Sequence, residues 1–301
     1  MPDESLDPDP PLLATCWATA GDAVPLPGRH RSPVAMLTRI EAAARAGFVG
    51  FGILDHDLHP FLRDHSLTDL RAMLEDHGLG YVELEFLTRW WTTGEERVRS
   101  DADRAFLLRA AEALDAHHIK IAADLEDTSP PDIGLWAEQL HALSREADEH
   151  GTAVALEFMP FANVSTLDLA LQIVLAADHP AGGLVIDLWH VERSGMDPAT
   201  LDSVPIERVL AVEIDDGQST EVGDPYDDTV LRRLIPGQGD FRTVEFAAAM
   251  MRAGWLLPWG TEIISEEYRM RPLDGALEEL VRCTRDELRR ARRGLVEGSP
   301  S

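Results

Sequence analysis

Three runs decide the fold: TAVALEF (152–158), then GLVIDL (183–188) and VLAVEI (209–214). Each is apolar at nearly every position, rich in Val, Ile and Leu, and only six or seven residues long. That is the pattern of a strand buried on both faces. A helical pattern at 165–177 and a shorter one near 198–204 separate them. Apolar strands alternating with amphipathic helices describe a parallel sheet whose outer face the helices cover.

The same unit recurs in both directions. Upstream, LLATCWA (12–18), FVGFGIL (48–54), GYVELEFL (80–87) and IKIAA (119–123) read as strands, and 32–46, 66–77, 95–116 and 132–150 as helices. Ser32 and Pro33 make an N-cap and first-turn pair, and Gly47 closes that helix. Downstream, 241–253 reads as helix, TEII (261–264) as strand and 272–293 as the last helix. Arg289, Arg290, Arg292 and Arg293 form a basic end that complements its dipole. Eight units of about 35 residues predict a single (β/α)8 TIM barrel, parallel and eight-stranded. An open doubly wound sheet would carry a Gly-rich turn after an early strand. The one Gly-rich string, Pro236-Gly237-Gln238-Gly239-Asp240, follows no strand. The expected organisation is a flexible acidic, Pro-rich tail at 1–11, a barrel at 12–293 and a C-terminal tail at 294–301.

Composition narrows the partners. The chain has 301 residues, and 54 Asp+Glu against 27 Lys+Arg give a net charge of -27. Such acidity argues against nucleic acid, whose binders need surplus Lys and Arg, and against anionic membranes. No apolar run approaches the ~20 residues of a membrane span. Hydrophobic residues at 45% suffice for a large core. Cys16 and Cys283 are too few for a disulfide framework and read as free buried thiols in a reducing compartment. The reading is a cytoplasmic protein acting on a small molecule, with homo-oligomerisation left open.

Chemistry in such barrels sits at the C-terminal ends of the strands. Four successive strands end in a carboxylate: Glu157, Asp187, Glu213 and Glu262, spaced 30, 26 and 49 residues apart. Four acids at one mouth require protons or a cation. An all-oxygen set favours one hard divalent ion, Mn2+ or Mg2+ over Zn2+. His190, three residues after Asp187, falls in the loop over the mouth, where it could bind a substrate oxygen or move a proton. Lys120 interrupts an apolar strand and could point into the barrel. Glu83 and Glu85 share one face of their strand, and Glu85 is nearer its end. Trp17, Trp90 and Trp91 are candidate aromatic walls for a sugar face. His56 and His59 follow the second strand and read as loop residues.

The ordered segments ALEFMP, VIDLWH, VEIDD, PGQGDF and GTEIISEEYR resemble the xylose-isomerase-like TIM-barrel family of sugar phosphate isomerases and epimerases. The likeness runs over about residues 12–290. It implies that Glu157, Asp187, Glu213 and Glu262 hold one metal. It also implies that Glu157 and Glu262 act as base and acid, and that His190 contacts substrate. Many members carry His where this chain has Glu213, so either metal preference shifts to harder ions or Asp215 or Asp216 ligates instead. The family's usual Arg after strand 7 is absent, and Arg232, or Arg233 beside it, is the substitute. The resulting expectation is an isomerase or epimerase of a sugar or cyclitol. It would remove the proton α to a carbonyl, and the metal would stabilise the enediolate. Lys120, Glu85, Trp17 and Arg232 join His190 as substrate-binding candidates. The alternatives are a lyase, dehydratase or β-eliminating, on the same metal site, and a sugar-binding barrel without turnover.

Overall fold

The computed structural model describes residues 9–297. Strands β1 (Leu12–Ala14), β2 (Gly50–Leu54), β3 (Tyr81–Leu87), β4 (His118–Ile121), β5 (Ala153–Glu157), β6 (Gly182–Asp187), β7 (Val209–Ile214) and β8 (Trp259–Thr261) close into a barrel in chain order. All pairings are parallel, and β1 seals the ring against β8, Leu12 opposite Trp259. This is the single eight-stranded barrel that the alternating pattern predicts. Eleven helices connect the strands: α1 (Cys16–Thr19), α2 (Met36–Ala46), α3 (Asp55–Phe61), α4 (Leu67–Asp76), α5 (Gly94–Leu114), α6 (Ile133–Glu149), α7 (Leu167–Ala177), α8 (Leu188–Arg193), α9 (Pro225–Leu231), α10 (Thr243–Ala253) and α11 (Leu273–Glu297), counted among the described residues.

The two faces of each strand go to different environments, as a period of two requires. Ile53, Leu84, Ile119, Leu156, Ile186 and Val212 join the helices in one large apolar core. The interior has a separate, small apolar layer of Ala155, Val185 and Ala211. Small residues are used there because long polar side chains fill the rest. A methyl on Gly52 would lie 2.7 Å from Glu83 Oε1, and one on Gly260 would lie 2.9 Å from Glu213 Cγ. These glycines therefore make room for the acids of the interior.

Several boundaries differ from the sequence reading. β1 stops at Ala14, where its partner β8 also ends at Thr261, and residues 16–19 turn helical instead of extending the strand. α2 starts at Met36, because Ser32 is used elsewhere: its hydroxyl donates to Ala20 O and its N–H donates to Asp57. β8 precedes the expected 261–264, and Ile264 instead joins a cluster over the mouth. α3, α8 and α9 are short helices with too few residues to show a period. α11 runs to Glu297, so its arginines lie within the helix and not at its end. Arg289 pairs with Asp9 and Asp286, and Arg290 with Glu287. The N-terminal tail expectation falls largely on residues 1–8, outside the described residues, as does the C-terminal tail beyond 297. Cys16 is buried as expected, and Cys283 is only half-buried.

Candidate metal centre at the mouth of the barrel

The four acids come from neighbouring strands. Glu157 and Asp187 are the last residues of β5 and β6, Glu213 lies opposite Asp187 in the ladder, and Glu262 follows β8 directly. Each offers a ligand oxygen, and those oxygens lie within 4.8 Å of one another, all buried. Asp187 is also the N-cap of α8, and its Oδ1 accepts from Trp189 N at 2.9 Å. That cap fixes the first turn of α8 and with it His190. His190 Nε2 lies 3.4 Å from Glu157 Oε1 and 3.7 Å from Asp187 Oδ2, and its buried Nδ1 has no partner. Glu157, Asp187 and His190 form a second, overlapping group able to hold a cation.

Two buried cations lace the acids together. Lys120 Nζ, from β4, lies 2.8 Å from both Glu213 Oε1 and Glu262 Oε1. Arg233 lies 2.7 Å from Asp187 Oδ2, 2.7 Å from Asp215 Oδ2 and 3.1 Å from Glu262 Oε2. Thr229 holds the same guanidinium through its carbonyl and its hydroxyl. Among the described residues Glu157 is thus the one acid of the four without a lysine or arginine partner.

The charge does not balance. Glu83, Glu85, Glu157, Asp187, Glu213, Asp215 and Glu262 are all buried, against one lysine and one arginine in the same interior. Burial raises Glu83 to about 7 and Glu85 to about 8, opposed by Lys120. Burial also pushes Glu213 well up, with the neighbouring Glu262 adding to it. Asp215 is raised by burial and by Asp187. Burial disfavours the charge on Lys120, but Glu213, Glu262 and Glu85 outweigh it and hold the ammonium well above its usual range. Such acids need protons or a cation. Glu213 Oε2 is buried with no partner among the described residues. The donor set and this orphaned oxygen together fit a divalent cation.

The other candidates divide. Lys120 and Glu85 are in the interior beside the cluster, with Glu85 Oε1 3.8 Å from Lys120 Nζ. Glu83 also points inward, with His118 Nε2 3.4 Å away. Trp17 packs with Leu54, Val230 and Ile264 in an apolar cover over the mouth, which Tyr226 fastens by donating to Pro25 O at 2.6 Å. Arg232 is not brought to the cluster: it is half exposed and its partner is Asp228. The adjacent Arg233 takes the buried position, because the turn after α9 directs its side chain inward. Trp91 stacks on Trp136 and Trp90 meets it edge-on, so both pack with the large apolar core. His56 is exposed and pairs with Asp55, and His59 stacks on Phe106. Asp216 accepts backbone N–H groups of Gly217, Gly237, Gly239 and Phe241, so the Pro236–Phe241 string is a loop tied to one carboxylate. No local signal singles out Arg233, since its acidic partners are 46 and 18 residues away.

Comparison with known proteins adds three findings. The profile of the xylose isomerase-like TIM barrel family matches residues 40–287. The chain is 24% identical over 236 residues to a 3-dehydroshikimate dehydratase of Pseudomonas putida, covering 78% of this chain and 37% of that protein. It is 25% identical to an inosose isomerase of Bacillus velezensis, covering 76% and 83%. The chain therefore spans about two fifths of the dehydratase that it matches. In fold it resembles the IOLI protein solved with a bound zinc atom, with TM-score 0.79, 20% identity, and coverage of 92% and 98%. It also resembles L-ribulose 3-epimerase, with TM-score 0.71, 16% identity, and coverage of 96% and 98%. No helix among the described residues is long and apolar enough to cross a membrane.

Proposed function

We propose that this chain, which belongs to the xylose isomerase-like TIM barrel family, is a divalent-metal-dependent isomerase or epimerase of a sugar or cyclitol derivative. The observation that carries the reading is the convergence of Glu157, Asp187, Glu213 and Glu262 within 4.8 Å. A bound dication supplies Lewis-acid polarisation of a substrate carbonyl and offsets the negative charge that builds on its oxygen. Mn2+ or Mg2+ suits this all-oxygen set better than Zn2+.

The chain's own groups would do the rest. Glu157, without a lysine or arginine partner among the described residues, is the proposed base that takes the proton α to the carbonyl. Glu262, in the same cluster, is the proposed partner that returns one, from a carboxyl that enters the step protonated. His190, fixed by the Asp187 cap, is positioned to hydrogen-bond a substrate oxygen, with Glu157 at 3.4 Å to orient its ring. Lys120 and Glu85 line the floor below the substrate, and the cover containing Trp17 excludes water from the carbanion-like transition state.

A lyase is the second reading, favoured by the dehydratases among the relatives. It shares the proton abstraction and then expels a leaving group. Incubation of keto-sugars and inosose-type compounds with the Mn2+-loaded protein in deuterated water separates the two. The isomerase reading predicts solvent deuterium at the carbon α to the carbonyl, and an unsaturated product would transfer the assignment to the lyase. Glu157→Gln is expected to lose about 10²- to 10⁴-fold in turnover, the usual contribution of a general base, with unchanged circular dichroism. Full activity in that variant would overturn the base assignment.

A further inference from the structure

We infer that Lys120 is an internal place-holder for the metal: its ammonium holds Glu213 and Glu262 together in the metal-free chain and moves to Glu85 when a dication takes those oxygens. The inference rests on the metal reading above and extends it to a residue that reading leaves as lining.

Four observations support it. Lys120 Nζ bridges Oε1 of Glu213 and Oε1 of Glu262 at 2.8 Å each, so one ammonium already pairs with two of the four acids. Both oxygens of Glu262 are engaged, Oε1 by Lys120 and Oε2 by Arg233. A dication reaching Glu262 must therefore compete with one of these cations. Arg233 is the less mobile of the two, because Thr229, Asp187 and Asp215 all hold it. Among the described residues Lys120 has only its two bridged acids at hydrogen-bond distance, and it has a flexible four-carbon stem.

The fourth observation supplies the destination. Glu85 Oε1 is buried and has no hydrogen-bond partner among the described residues, and it lies 3.8 Å from Lys120 Nζ. Glu85 is only 3% exposed. An unpaired buried oxygen is costly to leave unmet. Here it sits one short side-chain rotation from a cation that metal binding would dislodge. Glu83 lies on the same face of β3, with both of its own oxygens unpartnered among the described residues. The barrel thus keeps Glu213 and Glu262 paired without metal and would release them when metal arrives.

The test is a double-mutant cycle read by Mn2+ titration calorimetry on the full chain: wild type, Lys120→Met, Glu85→Gln and the double variant. Lys120→Met is expected to tighten Mn2+ binding roughly tenfold or more, the scale on which one close charge shifts a neighbouring equilibrium. Glu85→Gln is expected to weaken it in the wild-type background and to change it little once Lys120 is gone. Equal weakening in both backgrounds, the result of simple long-range attraction, would overturn the proposal and leave the metal site standing. An unchanged affinity in Lys120→Met would do the same. Absence of Mn2+ binding in all four proteins would overturn the metal reading, and the proposal with it. Should Lys120→Met not fold, wild-type crystals grown with and without Mn2+ decide the matter. Nζ within hydrogen-bond distance of Glu85 in the Mn2+ form supports the exchange, and Nζ still between Glu213 and Glu262 refutes it.

Discussion

Arg233→Met removes the cation that three buried acids share. Arg233 is 2% exposed and lies 2.7, 2.7 and 3.1 Å from Asp187, Asp215 and Glu262. Methionine keeps a similar unbranched stem, so packing against Trp189 is largely preserved and the change is mainly electrostatic. Removing one partner of a buried ion pair typically costs about 3–5 kcal/mol, because the charge left behind is uncompensated. Some of the freed acids will take up protons and soften the loss, so the lower half of that range is expected. At about 2–4 °C per kcal/mol for chains of this order, the melting temperature falls by roughly 6–15 °C. The assay is urea unfolding in chelator and again in saturating Mn2+. A ligand at 100 times its Kd stabilises the native state by about 2.7 kcal/mol, and the variant is expected to gain more from Mn2+ than the wild type, since Asp187 and Glu262 are then free of a competing cation. A loss below about 1 kcal/mol in chelator, with an unchanged denaturant slope, would refute the view that Arg233 holds the acids. So would a variant that gains nothing from Mn2+.

Two further predictions concern the interior. Burial, with Lys120 opposing it, raises Glu83 to about 7, and in the same way Glu85 to about 8, against 4.5 when exposed. The folded chain keeps protons that the unfolded chain has lost, so their contribution to stability is complete below pH 4.5 and is lost as pH rises through 7 and 8. Burial lowers His118 to about 3 and His117 to about 4, from 6.5. Their contribution is complete above pH 6.5 and is lost as pH falls toward 4 and 3. Metal-free stability should therefore drop between pH 6.5 and 8, where the raised carboxyls act and the two histidines no longer do, and Glu85→Gln should flatten that drop; a rise across the same interval would contradict the assignment. Gly52→Ala would put a methyl 2.6 Å from Cys16 N and 2.7 Å from Glu83 Oε1, and a cost of about 1–3 kcal/mol is expected by denaturant melting, whereas a neutral result would mean that the interior is looser than its packing indicates.

The barrel was legible because each strand is a dense apolar run between helical patterns. The acids stood out because AVAL, GLVI and VLAV each end in a charge that a core would not tolerate. What stayed hidden depends on tertiary placement. Residues 188–193 read as a strand end and the loop beyond it, and the Asp187 side chain, by capping Trp189 N, starts a helix there. Arg232 and Arg233 are neighbours of one chemistry, and the orientation of a single turn leaves the first half exposed beside Asp228 and sends the second to the buried acids. Trp90 and Trp91 lie near a strand end, yet their neighbour Trp136 on α6 draws them into the outer core. Lys120 and Glu85 were visible as polar breaks in apolar strands, but their 3.8 Å separation was not.

The central claim is that the acids at the ends of β5 to β8 grip one dication. Electron paramagnetic resonance of Mn2+ added to metal-stripped protein tests it most directly, in wild type and in Asp187→Asn. The account predicts one tightly bound Mn2+ per chain, lost or strongly weakened in Asp187→Asn. Free Mn2+ at every ratio, or identical uptake by the variant, would contradict it.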